Sequence, residues 1–131
     1  MKTELLYLTY VTAFTGLLWV PYILNRIFVR GIMESMGFNE NPEPQAPWAQ
    51  RLMRAHLNAI ENLVVFGLLV LIANSQGITN ECIAISSIVF FWTRIVHAVS
   101  YTFAIPGVKT VAFVIGFVAQ ATVATQILIH S

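Results

Sequence analysis

Aspartate is missing from this chain, so six glutamates supply every acidic side chain among its 131 residues. Charge of either sign is scarce: only 10% of residues are charged, and the net charge is +1. That leaves no basic patch or stripe to attract nucleic acid. A single cysteine, Cys82, excludes an internal disulfide and any cysteine-rich metal site. It follows Glu81 in what reads as a turn, with no histidine near it in sequence, and suits a small apolar filler better than a nucleophile. No His/Glu spacing makes a convincing metal site. Strict alternation of apolar and polar residues over ~10-residue strands is also absent, which argues against a membrane β-barrel. There is no internal repeat and no polar stretch long enough to be a separate soluble domain.

What the chain has instead is hydrocarbon. Its hydrophobic fraction is 57% and its mean hydropathy +0.74, too apolar for a soluble domain that must cover its core with polar surface. Four apolar segments run from about 5 to 32, 48 to 74, 81 to 103 and 108 to 129. Each is near the ~20 residues that a helix needs to cross ~30 Å of hydrocarbon. The expected fold is therefore an all-α integral membrane protein, one four-helix transmembrane domain over 1–131. The first segment is too long for a signal peptide, lacks a small-residue cleavage site and runs through Pro21 into polar residues. Pro21 should kink it.

Between the segments, GFNENPEPQAPW (Gly37–Trp48) holds three prolines and reads as the one substantial loop. NSQGITNE and AIPGVK read as tight turns. Arg26, Arg30, Arg51 and Arg54 flank the long loop, and Lys109 lies at the last turn. The positive-inside rule then places both chain ends outside the cytoplasm and the basic loops within it.

Charges also occur inside the spans. Arg51, Arg54, Asn58 and Glu61 follow spacings of three, four and three, which confines them to a sector of roughly 80° on one helix face. Asn62 lies close to that face, and His56 projects away from it. The third segment carries Arg94, His97 and Tyr101 at intervals of three and four. An ionisable group at depth in a bilayer costs several kcal/mol unless it pairs or lines a hydrated cavity. Two readings satisfy that constraint. In one, Glu61 and Arg94 face the bundle interior as an interhelical ion pair, with Asn58 and Tyr101 completing the hydrogen bonds, while Arg51 and Arg54 snorkel to headgroups. In the other, the two stripes line a wet pocket that takes a charged or zwitterionic ligand. Small residues Ala112 and Gly116, four apart on the last helix, would allow close packing in either case.

RLMRAHLNAIENLVVF (51–66) followed by RIVHAVSY (94–101) resembles the signature of the MAPEG family, membrane-associated proteins in eicosanoid and glutathione metabolism. The likeness covers the whole chain, including R-x-x-R-A-H-x-N-x-x-E on the second helix and R-x-x-H-x-x-x-Y on the third, and is greatest to the bacterial members. The resemblance implies a homotrimer in a bacterial inner membrane, holding glutathione between subunits near the cytoplasmic face. It assigns Arg51, Arg54, Asn58, Glu61, Arg94, His97 and Tyr101 to the tripeptide. Arg26, with Arg30 second, is the candidate for the first-helix arginine that joins the site. It also implies transfer of glutathione to, or peroxide reduction of, a hydrophobic small molecule arriving from the bilayer. Thiol activation would fall to Lys109 and Thr110, with Tyr101. Here the sequence departs from the family: Lys109 stands where much of it has an arginine, Thr110 where the prostaglandin synthase has a serine, and Leu57 where that enzyme has an arginine. A non-catalytic binding or transport module of the same fold, and a purely structural trimer, are the competing readings.

Overall fold

Pro21 divides the first span. In the computed structural model, which describes residues 1–131, α1 covers Thr3–Leu17 and α2 covers Trp19–Arg30, with a turn at Leu18 between them. Proline has no N–H to give the Leu17 carbonyl and its ring crowds that oxygen, so the helix is interrupted at this point. The backbone tightens instead, with Leu18 N–H donating to Thr15 O at 3.3 Å. Gly31, at φ 80°, ends α2 and starts the one-turn helix α3, Ile32–Met36. Three long helices follow: α4 (Pro47–Ser75), α5 (Glu81–Thr102) and α6 (Val108–Ile129). Thr3–Arg30 and these three are each long and apolar enough to cross a membrane. The protein is thus an all-helical membrane protein of four spans.

Local chemistry fixes the ends. Pro47 occupies the first turn of α4, where a missing N–H costs nothing. Asn80 caps α5 by accepting from Ile83 N–H at 3.0 Å. At its far end α5 closes in a Schellman turn, with Ile105 N–H donating to Ser100 O at 2.9 Å and Ala104 N–H to Tyr101 O at 3.3 Å. The residue in the left-handed conformation is Ala104, at φ 55°. The equivalent turn after α4 uses Gly77, at φ 69°.

Packing comes in three layers. An apolar cluster of Val11, Phe66, Val70, Ala73, Ile83, Phe90, Ala119 and Val123 joins α1, α4, α5 and α6, with Phe66 and Phe90 stacked at 4.0 Å between centroids. A smaller cluster of Leu18, Leu52, Ala59 and Ala98 lies toward the long loop. Between them along α4 and α5 sits a polar layer. Ala112 and Gly116 are both buried, and a Cβ on Gly116 would stand 3.2 Å from Thr93 Oγ1, so α6 lies close against α5 there. At the end away from the long loop, buried Glu4 accepts from the Thr79 hydroxyl at 2.8 Å, and Asn80 Nδ2 donates to Gln126 Oε1 at 2.9 Å. Most other large side chains on the outer faces are apolar and exposed, as contact with lipid tails requires.

Candidate functional site

The basic residues gather at the end of the bundle where α2 and α5 finish and α4 and α6 begin. Arg51, Arg54, Tyr101 and Lys109 line one cavity of ≈ 350 Å³, closed by the Ala104–Pro106 turn. A smaller adjoining hollow of ≈ 170 Å³ is lined by His97, Tyr101, Lys109, Thr110 and Phe113. Tyr101 and Lys109 belong to both, and Lys109 Nζ lies 4.0 Å from the centre of the Tyr101 ring. None of these cations pairs with a carboxylate of its own chain. The concavity is therefore positively charged and available to an anionic group.

Arg51 has a second duty. Its Nε donates to Thr102 O at 2.8 Å, so it satisfies an orphan carbonyl of the last turn of α5 and places a cation at the negative end of that helix. Arg54 makes no such contact and is exposed.

Arg94 lies deeper and is only 2% exposed. The sequence allowed Glu61 as its partner, but the structure gives it Asn58: Arg94 Nη2 donates to Asn58 Oδ1 at 2.6 Å and lies 3.3 Å from His97 Nδ1. Its Nε has no partner. Glu61 is exposed on the outside of the bundle, at the fifteenth of the 29 residues of α4. Three residues beyond Asn58, its side chain is rotated by about 60° away from the interior. A carboxylate without an ionic partner thus sits halfway along a membrane-spanning helix.

Arg26 is not brought to this cavity. Its Nε reaches Gln45 Oε1 at 3.4 Å, and with Arg30, Gln50 and Met53 it lines a separate hollow of ≈ 290 Å³. Arg30 Nε donates to Glu43 O at 2.7 Å. His56, which projects away from the charged stripe, meets the Tyr22 hydroxyl at 2.9 Å and braces α2 against α4. The largest hollow, ≈ 450 Å³, is an apolar groove between α5 and α6 that begins beside Pro106 and runs along Trp92, Val96, Val111 and Ile115.

The residue that sequence reasoning passed over is Gln120. It is 6% exposed and donates from Nε2 to Asn62 Oδ1 at 3.1 Å, joining α6 to the polar layer. Its signal was visible: one carboxamide in the middle of an aliphatic span must find a partner.

The profile of the MAPEG family matches residues 5–129 of the chain. No curated protein matches closely enough to stand as a relative.

Proposed function

The chain belongs to the MAPEG family, membrane proteins of eicosanoid and glutathione metabolism, and from that premise we propose a glutathione-dependent transferase or peroxidase acting on lipophilic electrophiles. The observation that carries the reading is the presence of two sets of charge, neither with an ionic partner in the chain. Arg51, Arg54 and Lys109 line a cavity with no carboxylate among them, and Glu61 presents a carboxylate with no cation. Glutathione carries two carboxylates, an ammonium and a thiol. Forked guanidinium bonds suit the carboxylates, and Glu61 suits the ammonium. Asn58, half-buried beside Glu61, offers a carboxamide to the peptide.

Glu61 also supports a site between subunits. An ionised carboxylate in contact with lipid at mid-span costs several kcal/mol, and a second copy packed on that face, with the ligand between, removes the cost. In such a homotrimer Arg26 of a neighbouring subunit is the candidate to complete the anion-binding set. Both chain ends then lie outside the cytoplasm, and the basic end faces it.

Chemistry requires the thiolate. Lys109 is the cation that would stabilise it, with the Thr110 and Tyr101 hydroxyls as donors in the same hollow. Attack on an electrophilic carbon forms a carbon–sulfur bond, and the leaving group departs or the opened ring takes a proton. Peroxide reduction consumes two glutathiones and yields the disulfide, an alcohol and water. A second reading, binding without thiol chemistry, draws on one observation: Lys109 is a strongly hydrated point charge already engaged with the Tyr101 ring. Calorimetric titration of glutathione into the detergent-solubilised protein tests the site, since absence of saturable binding ends the glutathione-dependent reading. A thiolate absorbance on the bound tripeptide separates the first from the second.

A further inference from the structure

The polar layer is a directional chain, and each direction is imposed by a group with only one possible role. Arg94 can only donate, so the carboxamide of Asn58 must turn its oxygen to the guanidinium, and does so at 2.6 Å. The Asn58 backbone carbonyl can only accept, so the amide nitrogen of Asn62 faces it, at 2.9 Å, and also approaches Asn58 Oδ1 at 3.3 Å. The oxygen of Asn62 is thereby turned toward α6, where Gln120 Nε2 donates to it at 3.1 Å and to the Asn62 backbone carbonyl at 3.3 Å. The chain runs Gln120 to Asn62 to Asn58 and is met from the other side by Arg94. Asn58 Oδ1 is claimed by two donors, while its Nδ2 makes no hydrogen bond within the subunit and is not sealed from solvent.

We propose that Gln120 and Asn62 are positioning residues that lock the carboxamide of Asn58 with its N–H groups facing the ligand, as donors to an anionic or carbonyl oxygen. Asparagine can flip by exchanging its oxygen and nitrogen with little change of shape. Flipped, Asn58 would turn its N–H groups toward Arg94 and Asn62, both donors, and present an acceptor to the ligand. Arg94 alone opposes the flip through one bond. Asn62, held from α6 by Gln120, adds the second. Gln120, farther along α6 than Lys109 and Thr110, thus acts on the site without touching the ligand. The proposal rests on the glutathione reading only for the identity of that ligand.

The test uses the full chain in detergent, labelled with ¹⁵N on asparagine side chains, the Asn58 resonances being assigned by their loss in Asn58→Ser. In the native protein Asn58 gives one sharp pair of amide protons. Gln120→Met, similar in volume but without the donor, should shift or broaden that pair and weaken glutathione binding by about 3–10-fold, the loss of roughly one neutral hydrogen bond's worth of order. Gln120→Asn keeps a carboxamide but retracts it by one methylene. It should give the same spectral change should the methionine variant fail to fold. If either variant lowers the melting temperature and leaves the Asn58 pair unmoved, Gln120 is only mortar between helices and the proposal is overturned. Should native protein bind no glutathione, the functional reading falls, and the spectra still decide whether Gln120 orients Asn58.

Discussion

Lys109 holds its ammonium 4.0 Å from the centre of the Tyr101 ring, so the first turn of α6 is fastened to the last turn of α5. The contact places the one lysine of the cavity beside the hydroxyl-bearing ring that lines both hollows. A cation over an aromatic face is worth about 0.5–1 kcal/mol where water reaches it. Tyr101→Phe keeps that ring and should leave the melting temperature within a degree or two and glutathione affinity little changed. Tyr101→Leu removes it and should lower both. Lys109→Met should abolish the thiolate absorbance of bound glutathione, whereas Lys109→Arg should retain or raise it, because the guanidinium remains a cation at the same point. A thiolate signal that survives Lys109→Met would remove lysine from the chemistry.

The two arginines of the cavity should part company on mutation. Arg51 caps α5 through Thr102 O at 2.8 Å, and Arg54 makes no bond within the chain. Arg51→Met exposes an unsatisfied helix carbonyl and withdraws a cation from the helix's negative end, a loss of about 1–2 kcal/mol. Arg54→Met should cost less than 0.5 kcal/mol, within the range of exposed substitutions, while lowering glutathione affinity. Thermal unfolding in detergent beside calorimetry reads both. Equal destabilisation by the two changes would show that the cap contributes nothing.

How much of this could be read from the sequence follows from the same residues. Membrane spans were legible because hydrocarbon admits only helices at such lengths and compositions. The polar layer was legible because Asn58, Arg94 and His97 could not remain unpartnered at depth. Which partner Arg94 takes was not legible. Asn58 and Glu61 differ by a rotation of about 60° on α4, and which of them faces α5 is set by how closely the helices approach, a matter settled elsewhere by Gly116 against Thr93. Arg51 was read as a headgroup anchor or a ligand contact, and not as a cap, because that duty depends on where α5 stops beside the start of α4. The link from Gln120 required the relative depth of α4 and α6, which no periodicity supplies.

Ala104 carries the strain of the α5–α6 turn. Its φ of 55° is the conformation that Gly77 adopts at the corresponding turn after α4, and for a residue with a Cβ it costs about 1 kcal/mol. Ala104→Gly should recover part of that, set against the greater freedom of glycine in the unfolded chain. The expected result is a small rise in melting temperature or none. Ala104→Val, branched at Cβ in the same conformation, should lower it clearly. Because this turn closes the cavity of Arg51, Arg54 and Lys109, the valine variant should also weaken glutathione binding. Unchanged stability in Ala104→Val would mean that the turn relaxes to another conformation.

Glu61 gives the sharpest separation between a ligand site and a structural seam. It is exposed at mid-span, without an ionic partner in its own chain. If its partner is the ammonium of glutathione, Glu61→Gln removes a charge-assisted bond worth about 1.5–3 kcal/mol, hence roughly a 10- to 100-fold loss of affinity. The neutral amide costs less than a carboxylate against lipid, so assembly should persist and the empty protein should be as stable as before or more so. If its partner is instead a cation of a neighbouring subunit, the same change leaves that cation unpaired in the membrane, and the oligomer should weaken without any ligand present. Light scattering of the detergent complex, with and without glutathione, distinguishes the two. An intact oligomer with lost affinity places Glu61 in the ligand site, and dissociation of the empty protein places it in the seam.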